Sequence, residues 1–354
     1  MSTRVFKYLS PFVLYYAAIA SFLNSGFVVW IPLIYSWILI PAIELLIKPD
    51  ESNLSKAEEE LAKKNVWYDI LLYLVVPFQY FALGLFLYVV SHWQQGWIDM
   101  IGKTFSMGLL CGVMGINVGH ELGHRSNKPE QFLAKILLMS SLYMHFFIEH
   151  NKGHHKRVGT PEDPASARYG EIVYTFYFRT IVFGYFSAWR IANRDAGKKG
   201  YKAFSIHNEM LRFHLIQIAF VGAVFFLFGW LATVLFLIAA VEGILLLETV
   251  NYIEHYGLQR RRIADGKYER ATPEHSWNSN HIIGRVMLFE LSRHSDHHYL
   301  ASRKYQILRH HEFSPQMPTG YPGMMILATI PPAWFYVMNK RIKKLQHEAA
   351  ISSS

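Results

Sequence analysis

Six stretches of the chain, 6–24, 27–47, 67–91, 101–120, 210–229 and 231–252, run for 19 to 25 residues with at most two charged side chains each. Crossing the ~30 Å hydrocarbon layer of a bilayer takes roughly 20 apolar residues in a helix, because every backbone N–H and C=O must be satisfied within the segment. The pattern predicts an all-α, polytopic membrane protein with six transmembrane helices in three hairpins. The connections expected outside, 24–26, 92–100 and 229–231, contain no Lys or Arg, with Lys103 the only basic residue close to them. Cytoplasmic loops are enriched in Lys and Arg, so 48–66, 121–209, 253–354 and both termini are expected inside.

The chain 1–354 is read as one integral-membrane domain whose His-rich helical cap, 121–209 and 253–354, lies on the cytoplasmic side. Two further apolar stretches, 131–150 and 321–338, carry Lys135 and His145 in one case and Pro331 and Pro332 in the other, and are expected as re-entrant or interfacial helices. The N-terminus has a basic start but no small-residue cleavage site followed by a soluble domain, so it reads as a retained first helix. The charged stretch 48–65 reads as a solvated connection. A content of 52% hydrophobic and 17% charged residues is outside the range of ordinary soluble enzymes. The net charge of +9 is spread over membrane flanks with no nucleic-acid motif, which suits the lipid bilayer or an acidic partner and gives no nucleic-acid reading. The single cysteine, Cys111, excludes a CxxC site, so any metal must be held by His or carboxylate.

Half of the 18 histidines sit in four short segments: HELGH (His120, His124), EHNKGHH (His150, His154, His155), NYIEHYG (His255) and RHSDHH (His294, His297, His298). Their spacings put the members of each segment on one helix face, where they can converge on a common centre. HELGH matches the HExxH of zinc proteases, but seven further histidines are surplus to that design. Nine imidazoles exceed the capacity of one octahedral ion, whereas two ions with four or five each use them all. Imidazole suits Fe, Cu, Zn and Ni alike; iron is favoured because attack on an unactivated chain needs oxygen activation. Isolated His92, His207, His214 and His347 read as hydrogen-bonding anchors. Glu121, Glu149, Glu254 and Asp296 adjoin candidate ligands and Asp163 is near one; each either faces solvent or accepts an imidazole N–H bond.

In the fourth stretch Gly108, Gly112, Gly115 and Gly119 recur at spacings of four, three and four. Close helix packing is one explanation. The other is a slot for an acyl or alkyl chain that opens toward His120, with Trp30 and Trp37 as wall or floor. Those indoles equally suit lipid-interface anchors.

Taken together, HELGHR at 120, FIEHNKGHHKRVGTPEDPASAR from 147, NYIEHYGL from 251, HSWNSNH from 275, RHSDHH from 293 and PTGYPG from 318 resemble the integral-membrane alkane 1-monooxygenases. These are non-haem di-iron enzymes related to the membrane fatty acyl desaturases. The resemblance covers most of the chain beyond the first two helices, and its His-Tyr-Gly element separates alkane hydroxylases from desaturases. Ser292 stands where Gln is usual, and Arg125 where Lys is common. The resemblance implies two non-haem iron ions and terminal hydroxylation of medium-to-long n-alkanes to 1-alkanols with O2. The two electrons come from rubredoxin, supplied by rubredoxin reductase, and the active site lies on the cytoplasmic side of the bacterial inner membrane. Rubredoxin binds its iron with four cysteines, so the donor is a separate chain. The alternatives are a fatty acyl desaturase or an aryl-methyl or fatty acid hydroxylase of the same superfamily and, outside enzymes, a metal transporter or sensor. Transport would place ionisable groups near the bilayer midplane, not at one edge.

Overall fold

A computed structural model describes residues 3–352; the chain ends, both expected inside, lie outside the described residues. In chain order the helices are α1 (Arg4–Leu23), α2 (Gly26–Leu46), α3 (Lys56–Lys64), α4 (Trp67–His92), α5 (Trp97–Gly123), α6 (Lys128–Met139), α7 (146–157), α8 (Val173–Gly197), α9 (Glu209–His255), α10 (Ile282–Met287), α11 (His294–Tyr299), α12 (Tyr321–Ala328) and α13 (Pro331–Ser352). The strands β1 (Arg262–Ala264) and β2 (Lys267–Tyr268) form an exposed antiparallel hairpin.

Five of these helices, α1, α2, α4, α5 and α9, are long and apolar enough to cross a membrane. A straight α9 would extend ~70 Å, more than twice the apolar layer. Instead Gly229 adopts φ 81°, ψ 177°, a conformation open only to glycine, and divides the helix. Phe220 and Phe236, which a straight helix would hold ~24 Å apart, bring their ring centroids to 5.8 Å. So α9 is a hairpin of two apolar arms. The stretch 131–150 is broken as well. Asn127 caps α6, Leu142 takes a left-handed φ of 53°, and the chain turns into α7. The stretch 321–338 is divided between α12 and α13.

Most of α5 is buried, and it packs closely on the inner arm of α9. A Cβ on Gly243 would lie 2.6 Å from the Cys111 side chain and 3.0 Å from the Gly112 nitrogen, so only glycine allows this approach. The N-terminal helices are clamped to the cap by buried carboxylates. Glu290 accepts from Lys7 Nζ (2.8 Å) and Tyr8 Oη (2.6 Å) and pairs with Arg285, while Glu44 accepts from the Gly284 N–H (2.7 Å). Phe289 and Glu290 hold positive φ values of 50° and 62° immediately before the segment that carries His294, a conformation these ties over-determine.

Candidate metal centre

His120 sits in the last turn of α5 and His124 follows its end; His150, His154 and His155 lie in α7, His255 closes α9, and α11 carries His294, His297 and His298. All nine come together, but not segment by segment. One group is His120, His124, His150, His155 and His297, and the other is His154, His255, His294 and His298; within each, the ligand atoms lie within 4.8 Å of one another. The neighbours His154 and His155 are thus parted, as are His297 and His298. A shared helix face would not do this. In α7 the residues His150–His154 form a π turn, closed by the His155 N–H bonding to the His150 carbonyl. Ordinary α geometry would turn His155 about 140° away from His150, whereas about 80° per residue in the wider turn brings it within about 40°.

In the group of five the Nε2 atoms make a closed circuit: His120 to His297 3.0 Å, His297 to His155 3.2 Å, His155 to His150 3.0 Å, His150 to His124 3.1 Å and His124 to His120 3.1 Å. An imidazole nitrogen is either a donor or an acceptor, so a ring of five cannot alternate and hydrogen bonding cannot satisfy it. A cation at its centre can. Imidazoles bound at about 2.1 Å in adjacent positions hold their nitrogens about 3 Å apart, so the donor set fits a transition-metal ion. In the group of four, His154 and His298 approach to 3.2 Å and His255 and His294 to 3.3 Å.

Burial, reinforced by the neighbouring imidazoles, pushes His124, His150, His155, His294 and His298 well below the usual histidine range, and His297 down to about 3. The rings are therefore neutral, with a lone pair available, which is the form that binds metal. Asp163 Oδ2 accepts from His154 Nδ1 (2.8 Å) and from Ser166 Oγ (2.6 Å). Burial opposes its charge, but these partners hold it below the usual carboxylate range. Glu254 accepts from Tyr321 Oη (2.7 Å) and has its other oxygen 3.0 Å from His294 Nε2. The other three carboxylates bond elsewhere. Glu121 meets Arg125 and the Tyr305 N–H, Glu149 meets Arg157, and Asp296 meets Arg303, His311 and the Arg309 N–H. Tyr321 and Ser166 were not singled out by sequence reasoning, although both lie in the quoted motifs PTGYPG and PEDPASAR. Of the isolated histidines, His214 bonds Tyr185 and His92 bonds Ser91.

An apolar cavity lies on the membrane side of this centre, lined by none of the nine histidines and connected to them through side chains. Its walls include Leu14, Trp37, Val113, Leu247, Leu291 and Met325, and Tyr321 joins it to Glu254 and thence His294. It is bounded by α1, α2, α5, the inner arm of α9 and the cap; α4, which packs elsewhere on α5, contributes no lining residue. Trp37 lines it, whereas Trp30 lies beside Gly102. Of the four glycines only Gly112 borders it. Gly108 and Gly112 face Glu242 and Leu246 of α9, while Gly115 and Gly119 face Ser140, Ser141 and Leu138. The π turn over Leu110–Ile116 rotates the second pair away from the first, so the glycines pack two neighbours instead of lining one slot.

The family model for fatty acid desaturases matches residues 95–328. An alkane 1-monooxygenase of Acinetobacter baylyi is 42% identical over 306 residues, covering 86% of this chain and 74% of its own. Alkane 1-monooxygenase 2 of Pseudomonas aeruginosa is 39% identical over 320 residues, 89% of this chain and 84% of its own. The hydroxylase component of the xylene/toluene monooxygenase of Pseudomonas putida is 27% identical over 341 residues, 94% and 87% respectively.

Proposed function

Because the chain belongs to the alkane 1-monooxygenases, oxidoreductases of the membrane desaturase and hydroxylase superfamily, we propose that it converts medium-to-long n-alkanes to 1-alkanols with O2 at two non-haem iron ions. His120, His124, His150, His155 and His297 hold one ion, and His154, His255, His294 and His298 the other. The observation that carries this reading is the closed circuit of five imidazoles, beside a group of four, tied through Glu254 to Tyr321 in the wall of an apolar cavity.

Iron, when bound, supplies the activation of O2 that an unactivated C–H bond requires. The chain's own residues do the rest. Asp163 keeps the proton of His154 on Nδ1, leaving Nε2 free to ligate. Tyr321, held by Glu254, lines the cavity on the side toward His294. Trp37, Val113, Leu247, Leu291 and Met325 bind the alkane and exclude water. A methylene contributes almost as much hydrophobic binding as a methyl, so terminal selectivity comes from positioning the chain end and not from affinity. Two electrons come from rubredoxin, reduced by its reductase; the net charge of +9 favours encounter with such a small acidic protein. The six apolar arms cross the bacterial inner membrane, with both ends and the cap on the cytoplasmic side.

The test is gas-chromatographic product analysis after incubating membranes, rubredoxin, its reductase and NADH with a ladder of n-alkanes and, in parallel, fatty acyl thioesters and methylbenzenes. Terminal alkanols are expected. Unsaturated acyl chains or benzylic alcohols in their place would substitute the desaturase or aryl-methyl hydroxylase reading.

A further inference from the structure

The proposed reaction, RH + O2 + 2 e− + 2 H+ → ROH + H2O, requires two protons at a buried centre, and a proton route to the metals rests on that reading of the function. The structure holds a second cavity on the opposite side of the histidines. Tyr143, Glu149, His150, His154, Thr180 and Glu248 are among its lining residues, and it shares none with the apolar cavity. It touches one histidine of each group. The inner arm of α9 separates the two spaces, with Leu246, Leu247 and Val250 turned to the apolar one and Glu248 and Asn251 to the polar one. We propose that this pocket holds water and passes protons to the metal centre, with Glu248 as the relay residue.

Glu248 is buried, and its oxygens accept from Tyr143 Oη (2.7 Å), Thr180 Oγ1 (2.8 Å) and Asn251 Nδ2 (3.0 Å). All three donors are neutral, and no Lys or Arg contact with Glu248 occurs among the described residues. A buried carboxylate without a counter-ion is expensive, and a glutamine would hold the same three partners at lower desolvation cost. A proton-carrying role explains the acid. The route to the surface is also polar. Glu149 offers one oxygen to Arg157 (2.5 Å), while its other oxygen is buried without a hydrogen-bond partner in the same pocket. Arg157, partly exposed, also donates to Ser187 Oγ (2.8 Å). The space between accommodates about one or two waters. In each transfer Glu248 gives a proton to a pocket water, which hands one on at the gap between His150 and His154. Glu248 then regains a proton through water lying along Arg157, and two such transfers balance one turnover.

The experiment uses the full-length, iron-loaded enzyme in lipid nanodiscs. Pulsed X-ray irradiation generates hydroxyl radicals from bound water, and Tyr143 is expected to be labelled. Labelling is expected to disappear in Gly184→Leu, whose side chain enters the pocket; a Cβ there meets nothing nearer than the Glu149 Cγ at 3.9 Å. During turnover, Glu248→Gln and Thr180→Val are expected to keep iron content and alkane KM, while alkanol formed per NADH falls roughly tenfold. The missing equivalents appear as hydrogen peroxide, the solvent isotope effect on kcat rises, and Glu248→Asp restores coupling. An unlabelled Tyr143 in the native enzyme, or full coupling and an unchanged isotope effect in both Glu248→Gln and Gly184→Leu, overturns the relay. Failure of the native enzyme to form any alkanol overturns the functional reading instead, and labelling still decides whether the pocket is wet.

Discussion

Replacing Trp37 by Ser tests whether the apolar cavity is the alkane site. Trp37 is partly buried and lines the cavity together with Leu14 and Val113, and removing its indole opens space for roughly four methylenes. Each buried methylene contributes about 0.8 kcal/mol, so an alkane four carbons longer than the native optimum gains about 3 kcal/mol, roughly 150-fold in relative kcat/KM. If neighbouring side chains collapse into half of the space, about tenfold remains. The assay is chromatographic quantitation of 1-alkanols from a mixed n-alkane ladder, expressed as ratios between chain lengths per iron-loaded enzyme, which removes any effect on folded yield. Trp30→Ser serves as the control, since Trp30 packs beside Gly102 outside the cavity. An unchanged length profile in Trp37→Ser, or an equal shift in Trp30→Ser, would refute the assignment.

Asp163→Asn is expected to weaken metal binding about 10- to 100-fold, because Asp163 fixes the His154 ring; chelator competition measures this. Asp296→Asn, which loses Arg303 and His311 contacts but none to a candidate ligand, is expected to lower the melting temperature with little change in metal affinity. The metal-free protein is expected to lose stability as pH falls below about 6.5. His124, His150, His155, His294, His297 and His298 stay neutral in the folded state while the unfolded chain takes up protons, at up to about 1.4 kcal/mol per pH unit for each imidazole. Thermal melts at pH 7.5 and 5.5 check this; a pH-independent melt would contradict it. Reporter fusions after residues 55 and 170 are both expected inside the cell, and an outside signal at 170 would place α6 across the membrane.

The apolar stretches were legible because their length is set by bilayer thickness, and even the break at Gly229 coincides with the division expected between 210–229 and 231–252. The nine histidines were legible because clustered imidazoles have few other uses. Their partition was not. Sequence spacing carries helical periodicity but not the π turn that sets His155, and not His154, in the same group as His150. A second π turn undid the single glycine face for the same reason. Long-range partners such as Tyr321 with Glu254, 67 residues apart, leave no local pattern to read.

Twice in the chain, at His154–His155 and at His297–His298, one peptide bond joins a member of the group of five to a member of the group of four. Neither neighbour can reorient its backbone without dragging the other. A ligand that fixes one group would therefore also restrict the frame that presents the second. On the proposed two-ion reading, restricting both α7 and α11 falls largely to the first ion, and the second is expected to bind more tightly. If each group takes one ion as proposed, a metal titration is expected to pass from empty to doubly filled with little singly filled protein, and a mutation confined to either group is expected to lower occupancy of both.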